Sequence, residues 1–230
     1  MRSGVGIVLQ ARRRSTRLPG KALELIGRYS LLEHCLRRLV AAGVAPVVLA
    51  TTAREEDDPL AELARGCGAH AFRGCEHDVL GRYVAAAAHF GFTTVVRATG
   101  DNPAVDVQGA GRVIALLEST DGDYAVESDL PYGAAVEAID VAALGRAAAL
   151  ATEPADREHV RTYLTSHPGQ FRLVVAPAPA PLRRPDLRLT VDTRSDLDYV
   201  RLLFARTGQD EPSLRRLIEV AGRAVHREVA

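Results

Sequence analysis

Residues 10–21 read Gln-Ala-Arg-Arg-Arg-Ser-Thr-Arg-Leu-Pro-Gly-Lys, so four arginines, one lysine and two hydroxyls fall within twelve residues. Like charges crowded this tightly repel one another, and a polyanion is the natural ligand to neutralise them. A triphosphate suits the residue types. Arginine grips phosphate oxygens through two parallel N–H donors, lysine acts as a point charge, and backbone N–H groups of a loop leading into a helix add further donors. The plainer readings are a solvated basic loop or a nucleic-acid contact. Neither G-x-G-x-x-G nor G-x-x-x-x-G-K-[ST] occurs, so neither a dinucleotide-binding dehydrogenase nor a P-loop kinase is supported. Farther along, Asp101 follows Gly100 in a turn stiffened by Pro103, and Asp192 ends the apolar run 187–191. Two carboxylates at strand ends make a small oxygen site suited to Mg²⁺, with most ligand positions left for water and phosphate; each is otherwise an ordinary turn or cap residue.

Such residues need a scaffold that brings distant segments to one edge, and the hydrophobic pattern supplies it. Residues 5–10 are short, apolar and closed by a polar loop containing Pro19 and Gly20, which marks a buried strand. Residues 31–42 repeat apolar side chains at helical spacing and stop at Gly43. Strands are predicted over 46–51, 69–72 and 94–98, with helices over 57–67, where Pro59 sits in the first turn, and over 78–90. This alternation predicts an α/β fold, a doubly wound, mostly parallel, Rossmann-like sheet with its site at the carboxyl ends of the strands. From about residue 121 the alternation weakens. Short strands near Tyr124 and Val136 and helices over 141–150 and 158–166 read as a small inserted α+β segment. Four prolines between 177 and 185 form a rigid linker, 187–191 resume a core-type strand, and helices over 195–206 and 213–221 follow with Ser195 and Ser213 as N-caps. The expected organisation is one domain over 1–230, with about 121–185 as an insertion.

With 230 residues, 47% of them apolar, the chain can bury one sizeable core. Lysine plus arginine and aspartate plus glutamate both number 29, so no global field exists to hold a nucleic acid or an anionic membrane. No apolar run approaches the roughly 20 residues of a membrane helix, and residues 5–9 are too short for a secretory leader. The odd set Cys35, Cys67 and Cys75 lacks a C-x-x-C pair, which argues against a disulfide framework or a zinc site. These are read as reduced thiols of a soluble, cytoplasmic protein.

The first loop resembles the signature of the cytidylyltransferases that activate Kdo and acylneuraminate sugars, most closely the spore-coat polysaccharide biosynthesis branch, whose pattern is similar to Q-A-R-x-x-S-T-R-L-P-G-K. Further blocks follow in the family's order: Ala50-Thr51-Thr52, Glu56-Asp57-Asp58-Pro59, Phe72-Arg73-Gly74, Asp78-Val79-Leu80 with Arg82-Tyr83, and Arg97-Ala98-Thr99-Gly100-Asp101-Asn102-Pro103. Arg157-Glu158-His159-Val160 and Leu187-Arg188-Leu189-Thr190-Val191-Asp192-Thr193 complete them. The resemblance implies a nucleotidyltransferase-type sheet and Mg²⁺-dependent transfer of a nucleoside monophosphate, CMP from CTP, to a small acidic sugar-like acceptor with release of pyrophosphate. It implies Arg12, Arg17 and Lys21 as catalytic cations. Leu9, Gln10, Ala11, Arg12, Ser15, Lys21, Arg73 and Gly100 would bind nucleotide; Asp78, Arg82, Glu137, Glu158 and His159 would face the acceptor; Asp101 and Asp192 would hold the metal. It also implies a homodimer, with the insertion at about 121–185 as acceptor region and dimerisation surface.

The chain departs from the family pattern at several points. Gly81 stands where the family often has Asp, Ala135 replaces the Asp of a G-x-D-V-E segment, and Arg13 and Arg14 replace smaller residues. Local readings compete as well: Asp78 as an N-cap with Arg82 its i+4 ion-pair partner, Glu137 as a strand-edge carboxylate, His159 as a packed side chain, Ser15 as an ordinary loop hydroxyl, and His77 as simply solvent-exposed. Competing functions are transfer to a phosphate or phosphonate oxygen, a nucleotide-sugar-dependent glycosyltransferase, and an inactive nucleotide-binding scaffold.

Overall fold

The computed structural model describes residues 4–227; residues 1–3 and 228–230, the ends of the expected 1–230 domain, lie outside the described residues. The first strand, β1 (Val5–Gln10), is the apolar run expected, with only Gln10 incompletely buried. A hairpin of β2 (Leu25–Ile26) and β3 (Tyr29–Ser30) leads into α1 (Leu31–Ala41). Ser30 starts that helix through a capping box: its Oγ accepts the Glu33 N–H at 3.3 Å while the Glu33 carboxylate accepts the Ser30 N–H at 3.0 Å. Then come β4 (Val47–Thr52), α2 (Asp58–Gly66), β5 (His70–Gly74), α3 (Val79–Phe90) and β6 (Thr94–Thr99), each within two residues of its predicted bounds. The next helix, α4 (Gly109–Thr120), was not predicted, although Ala110, Val113, Ile114 and Leu117 repeat at helical spacing and are buried.

The remaining elements are β7 (Tyr124–Ser128), β8 (Glu137–Asp140), α5 (Val141–Leu150), α6 (Pro154–Glu158), α7 (Thr162–Ser166), β9 (Leu173–Pro177), α8 (Arg194–Thr207) and α9 (Leu214–Arg227). Seven strands form one sheet in the order β5-β4-β1-β6-β8-β7-β9. All pairings are parallel except those of β8, which runs against both β6 and β7. The chain moves outward from β1 to β4 and β5, then returns to place β6 on the other side of β1. The direction of strand addition thus reverses at β1 and β6, and the carboxyl ends of these two strands mark the usual ligand position in such sheets.

Helices α1, α2 and α4 cover one face, where Leu36, Leu49 and Ile114 are fully buried. Helices α3 and α5 cover the other, around Leu80, Tyr83 and Leu144. Each such side chain contributes about 1.5–3 kcal/mol relative to exposure. The Tyr83 hydroxyl lies 3.1 Å from both the Val8 and Ala98 carbonyls and so ties α3 to the two central strands just below their carboxyl ends. A third cluster packs α8 and α9 against residues 187–191 and the β2–β3 hairpin.

Four expectations need correction. The helix over 158–166 is two short helices, because the chain turns at His159 and drops Val160, which is fully buried, into the core. Residues 187–191 are extended but lie outside the sheet: their backbone bonds run to loops, Leu187 O and Leu189 N pairing with Tyr132 and Val191 N donating to Asp101 O at 2.8 Å. The edge position belongs instead to β9, whose last residue is the first linker proline, Pro177. Finally, α8 is capped by Thr193 in a capping box with Asp196, not by Ser195; Ser213 Oγ does accept the Arg216 N–H at 3.1 Å, as an N-cap should.

Candidate active site

Gln10 of β1 and Thr99 of β6 are in register, so the chain leaves both strands side by side. The Gly100 N–H donates to Gln10 O at 2.8 Å, and a Cβ on Gly100 would lie 2.8 Å from the Ala11 Cβ. Only glycine permits that approach, which sets the Asp101 turn against the arginine loop. Residues 187–191 bring in Asp192 from the other side through the Val191–Asp101 backbone bond. Two adjoining cavities result. The smaller, about 230 Å³, is lined by the loop residues Arg12, Ser15, Arg17 and Lys21 together with Gly100 and Asp101. The larger, about 580 Å³, extends over β6, β7 and β8 and is lined by Arg97, Glu127, Glu137 and Arg161 among others. Gln10, Arg17, Thr99, Asp101, His159 and Asp192 border both.

At the junction, the Lys21 ammonium donates to Val191 O at 2.7 Å, Asp192 Oδ1 at 3.1 Å and Asp101 Oδ2 at 3.3 Å. Arg17 reaches Asp192 Oδ1 at 2.9 Å and Arg188 reaches Oδ2 at 2.8 Å. Arg188 also pairs with Asp196; burial pushes the Asp196 carboxyl up, but Arg188 and the N–H groups of Thr193 and Asp192 outweigh it and hold the group well below the usual carboxylate range. Asp101 and Asp192 thus converge on one cation position, a hard-oxygen environment that fits a divalent metal with water or phosphate as further ligands. No cluster of three or more His, Cys, Asp or Glu side chains exists among the described residues, so such a metal would depend on ligands from outside the chain.

The larger cavity has a charged floor. Arg97 donates to Glu137 at 2.9 Å, and Arg161, half-exposed, approaches the same carboxylate at 3.4 Å. Burial opposes the Arg97 charge, but Glu137 beside it holds the guanidinium above its ordinary value. Glu127 is clamped through both oxygens by Arg112 at 2.7 Å.

Of the residues expected to bind nucleotide, Gln10, Ala11, Arg12, Ser15, Lys21 and Gly100 line the smaller cavity. Leu9 is fully buried in the core beneath it. Arg73 does not line either cavity; it is held by Asp58 and by the carbonyls of Thr52 and Arg54. Of the acceptor set, Arg82, Glu158 and His159 border the smaller cavity and Glu137 and His159 the larger. Asp78 caps α3, accepting the Gly81 N–H at 2.8 Å, and its ion partner is Arg157 at 3.4 Å, not Arg82, whose guanidinium donates to Cys75 O. His77 is exposed. The sequence reading assigned no role to Arg97, Glu127, Arg161 or Arg188. Arg97 and Arg188 were visible in their blocks as charges within apolar runs; Glu127 and Arg161 carry no local signal that separates them from surface charges.

The sequence pattern of the cytidylyltransferases matches residues 6–217. The spore coat polysaccharide biosynthesis protein SpsF of Bacillus subtilis is 32% identical over 208 residues, covering 88% of this chain and 87% of that protein. A cytidylyltransferase from Leptospira borgpetersenii serovar Hardjo-bovis superposes with a TM-score of 0.90 at 29% identity, covering 97% of this chain and 95% of the other. CMP:2-keto-3-deoxy-manno-octonic acid synthetase, solved in complex with CTP, shares the fold with a TM-score of 0.68 at 21% identity over 89% of this chain and 99% of that one. The family pattern runs from β1 into α9, through every segment that borders the two cavities, and the chain therefore belongs to the cytidylyltransferase family and is a nucleotidylyltransferase.

Proposed function

We propose that this enzyme transfers CMP from CTP to a small acidic sugar-like acceptor and releases pyrophosphate. The observation that carries this reading is the shared border of the two cavities: the cationic cavity of Arg12, Arg17 and Lys21 meets the larger one at Asp101 and Asp192. A triphosphate seated on the loop would present its α-phosphorus at that junction, where an acceptor oxygen in the larger cavity attacks in line. Arg12, Arg17 and Lys21 neutralise charge on the departing pyrophosphate, and such preorganised donors act most strongly where water is excluded. Gln10, Ala11 and Ser15 orient the nucleotide, and Gly100 keeps the strand ends close enough for this. Asp101 and Asp192 would hold Mg²⁺, which when bound supplies charge neutralisation at the phosphate oxygens. On the acceptor side, Glu137 positions Arg161, and Arg161 with His159 offers donors to an acidic acceptor; Arg82 and Glu158 border the nucleotide cavity instead.

We assign a homodimer contact to the segment 121–185, whose β9 is an edge strand of the sheet among the described residues and carries the exposed Val175. Three free cysteines, Cys35 with its thiol pushed up to about 12 by burial, suit a reducing cytoplasm. No helix among the described residues is long and apolar enough to cross a membrane. Calorimetric titration of CTP, UTP, GTP and ATP with Mg²⁺, followed by an acceptor screen read by pyrophosphate release, tests the reading. CTP alone should bind tightly, and acidic sugars should trigger release; failure of every triphosphate to bind would overturn it.

A further inference from the structure

In sequence the arginine loop is a set of free cations awaiting an anion. In the folded chain four of those five cations already face a carboxylate: Arg12 with Glu158 at 2.9 Å, Arg14 with Glu56 at 2.8 Å, and both Arg17 and Lys21 with Asp192. Lys21 is the extreme case. It is the sole lysine among the 29 lysine and arginine residues of the chain. Its ammonium sits among three oxygens, those of Asp101, Val191 and Asp192, at 2.7–3.3 Å. A guanidinium spreads its charge over a planar fork, whereas an ammonium is a compact point charge of the kind that oxygen cages hold.

The local charge balance has a direct consequence. Asp101, Asp192 and Asp196 face Lys21, Arg17 and Arg188, so before any ligand arrives the carboxylates of this spot are already balanced by side-chain cations. A dication entering alone finds no uncompensated negative charge and must displace an ammonium that already bonds both carboxylates. A triphosphate reverses the balance, since it offers Lys21 and Arg17 new oxygens in the cavity they line and so frees Asp101 and Asp192.

We infer that Lys21 is a placeholder cation: it occupies the position between Asp101 and Asp192 until a nucleoside triphosphate draws it away, so that the divalent metal enters with the nucleotide and not before it. This rests on the reading of Asp101 and Asp192 as metal ligands. It adds an order of binding, and it gives the single lysine a second task besides phosphate contact.

The test measures protein-bound Mn²⁺ by water-proton relaxation enhancement, on the full chain, with and without CTP. Wild type with Mn²⁺ alone should show little bound metal, and CTP should bring uptake. Lys21→Met should bind Mn²⁺ without nucleotide about tenfold or more tightly than wild type, as removing a unit charge a few ångströms away requires. Lys21→Arg, which keeps the charge, should stay close to wild type. In the wild-type protein labelled with [¹⁵Nζ]lysine, the single side-chain signal should move on adding metal-free CTP and stay in place on adding Mg²⁺ alone. Equal Mn²⁺ affinity of wild type and Lys21→Met in the absence of CTP would overturn the inference while leaving the metal-site reading intact, provided CTP still brings Mn²⁺ onto wild type. Absence of bound Mn²⁺ in every variant even with CTP would overturn both.

Discussion

Around the smaller cavity, the cations Arg12, Arg14, Arg17 and Lys21 come from the loop that follows the parallel strand β1, and each faces a carboxylate. Around the larger cavity, Arg97 on β6, Glu127 on β7 and Glu137 on β8 lie on the sheet and are held in largely buried ion pairs. Arg12 and Glu158 form a partly exposed pair at 2.9 Å, whereas Arg97 and Glu137 form a largely buried one at the same distance. The difference separates two kinds of residue. Those on the nucleotide side are free to exchange partners and so can serve a ligand that comes and goes. Those under the acceptor side are committed to the fold and shape the cavity through the groups they position.

The sharpest way to break this comparison is Glu137→Ala. It leaves Arg97 charged, buried and without its carboxylate, so stability should fall by about 3–5 kcal/mol, read as a lower midpoint in urea. A loss under about 1 kcal/mol would show that the acceptor-side network is no more structural than an exposed pair. Arg12→Ala should do the reverse. Turnover, measured by pyrophosphate release, should drop about 10²-fold or more, the scale for one preorganised donor, while stability changes by less than about 1 kcal/mol, since its Glu158 pair is partly exposed. The smallest effect is expected from Gly133→Ala. Gly133 has φ 95°, and an added Cβ would lie 2.7 Å from Thr190 N and 2.9 Å from Asn102 Oδ1 at the wall of the larger cavity. A destabilisation of about 1–3 kcal/mol should follow, with CTP affinity unchanged by calorimetry; weakened CTP binding would show that the two cavities do not act separately.

The same division governs how much could be read from residues alone. From Val5 to Thr99 the predicted strands and helices match to within two residues, because parallel strands buried on both faces are continuous apolar runs and their helices carry a 3.6-residue period. Beyond Asp121 the pattern is mixed. Leu173–Pro177 has an exposed Val175 and a terminal proline, features of an edge strand, and reads as a loop unless a partner strand is known. Residues 187–191 have the opposite problem: they are nearly all buried, yet they are buried by α8 and α9 and not by a sheet, and composition does not distinguish the two. The same holds for α4, whose periodic apolar face was legible and went unassigned.

For the site, residue types and spacing determined that a dense cationic loop follows a buried strand and that an aspartate follows a glycine at the end of another. These are local facts, set by side-chain chemistry and by the short reach of a turn. Tertiary structure alone decided that Asp192 meets Asp101 through a backbone bond between segments 90 residues apart, that Lys21 lies between them, and that Arg161 and Glu137 share a cavity floor. Those pairings depend on which strand edges and loops are left open once the sheet has assembled, and that choice is made by the packing of the whole chain.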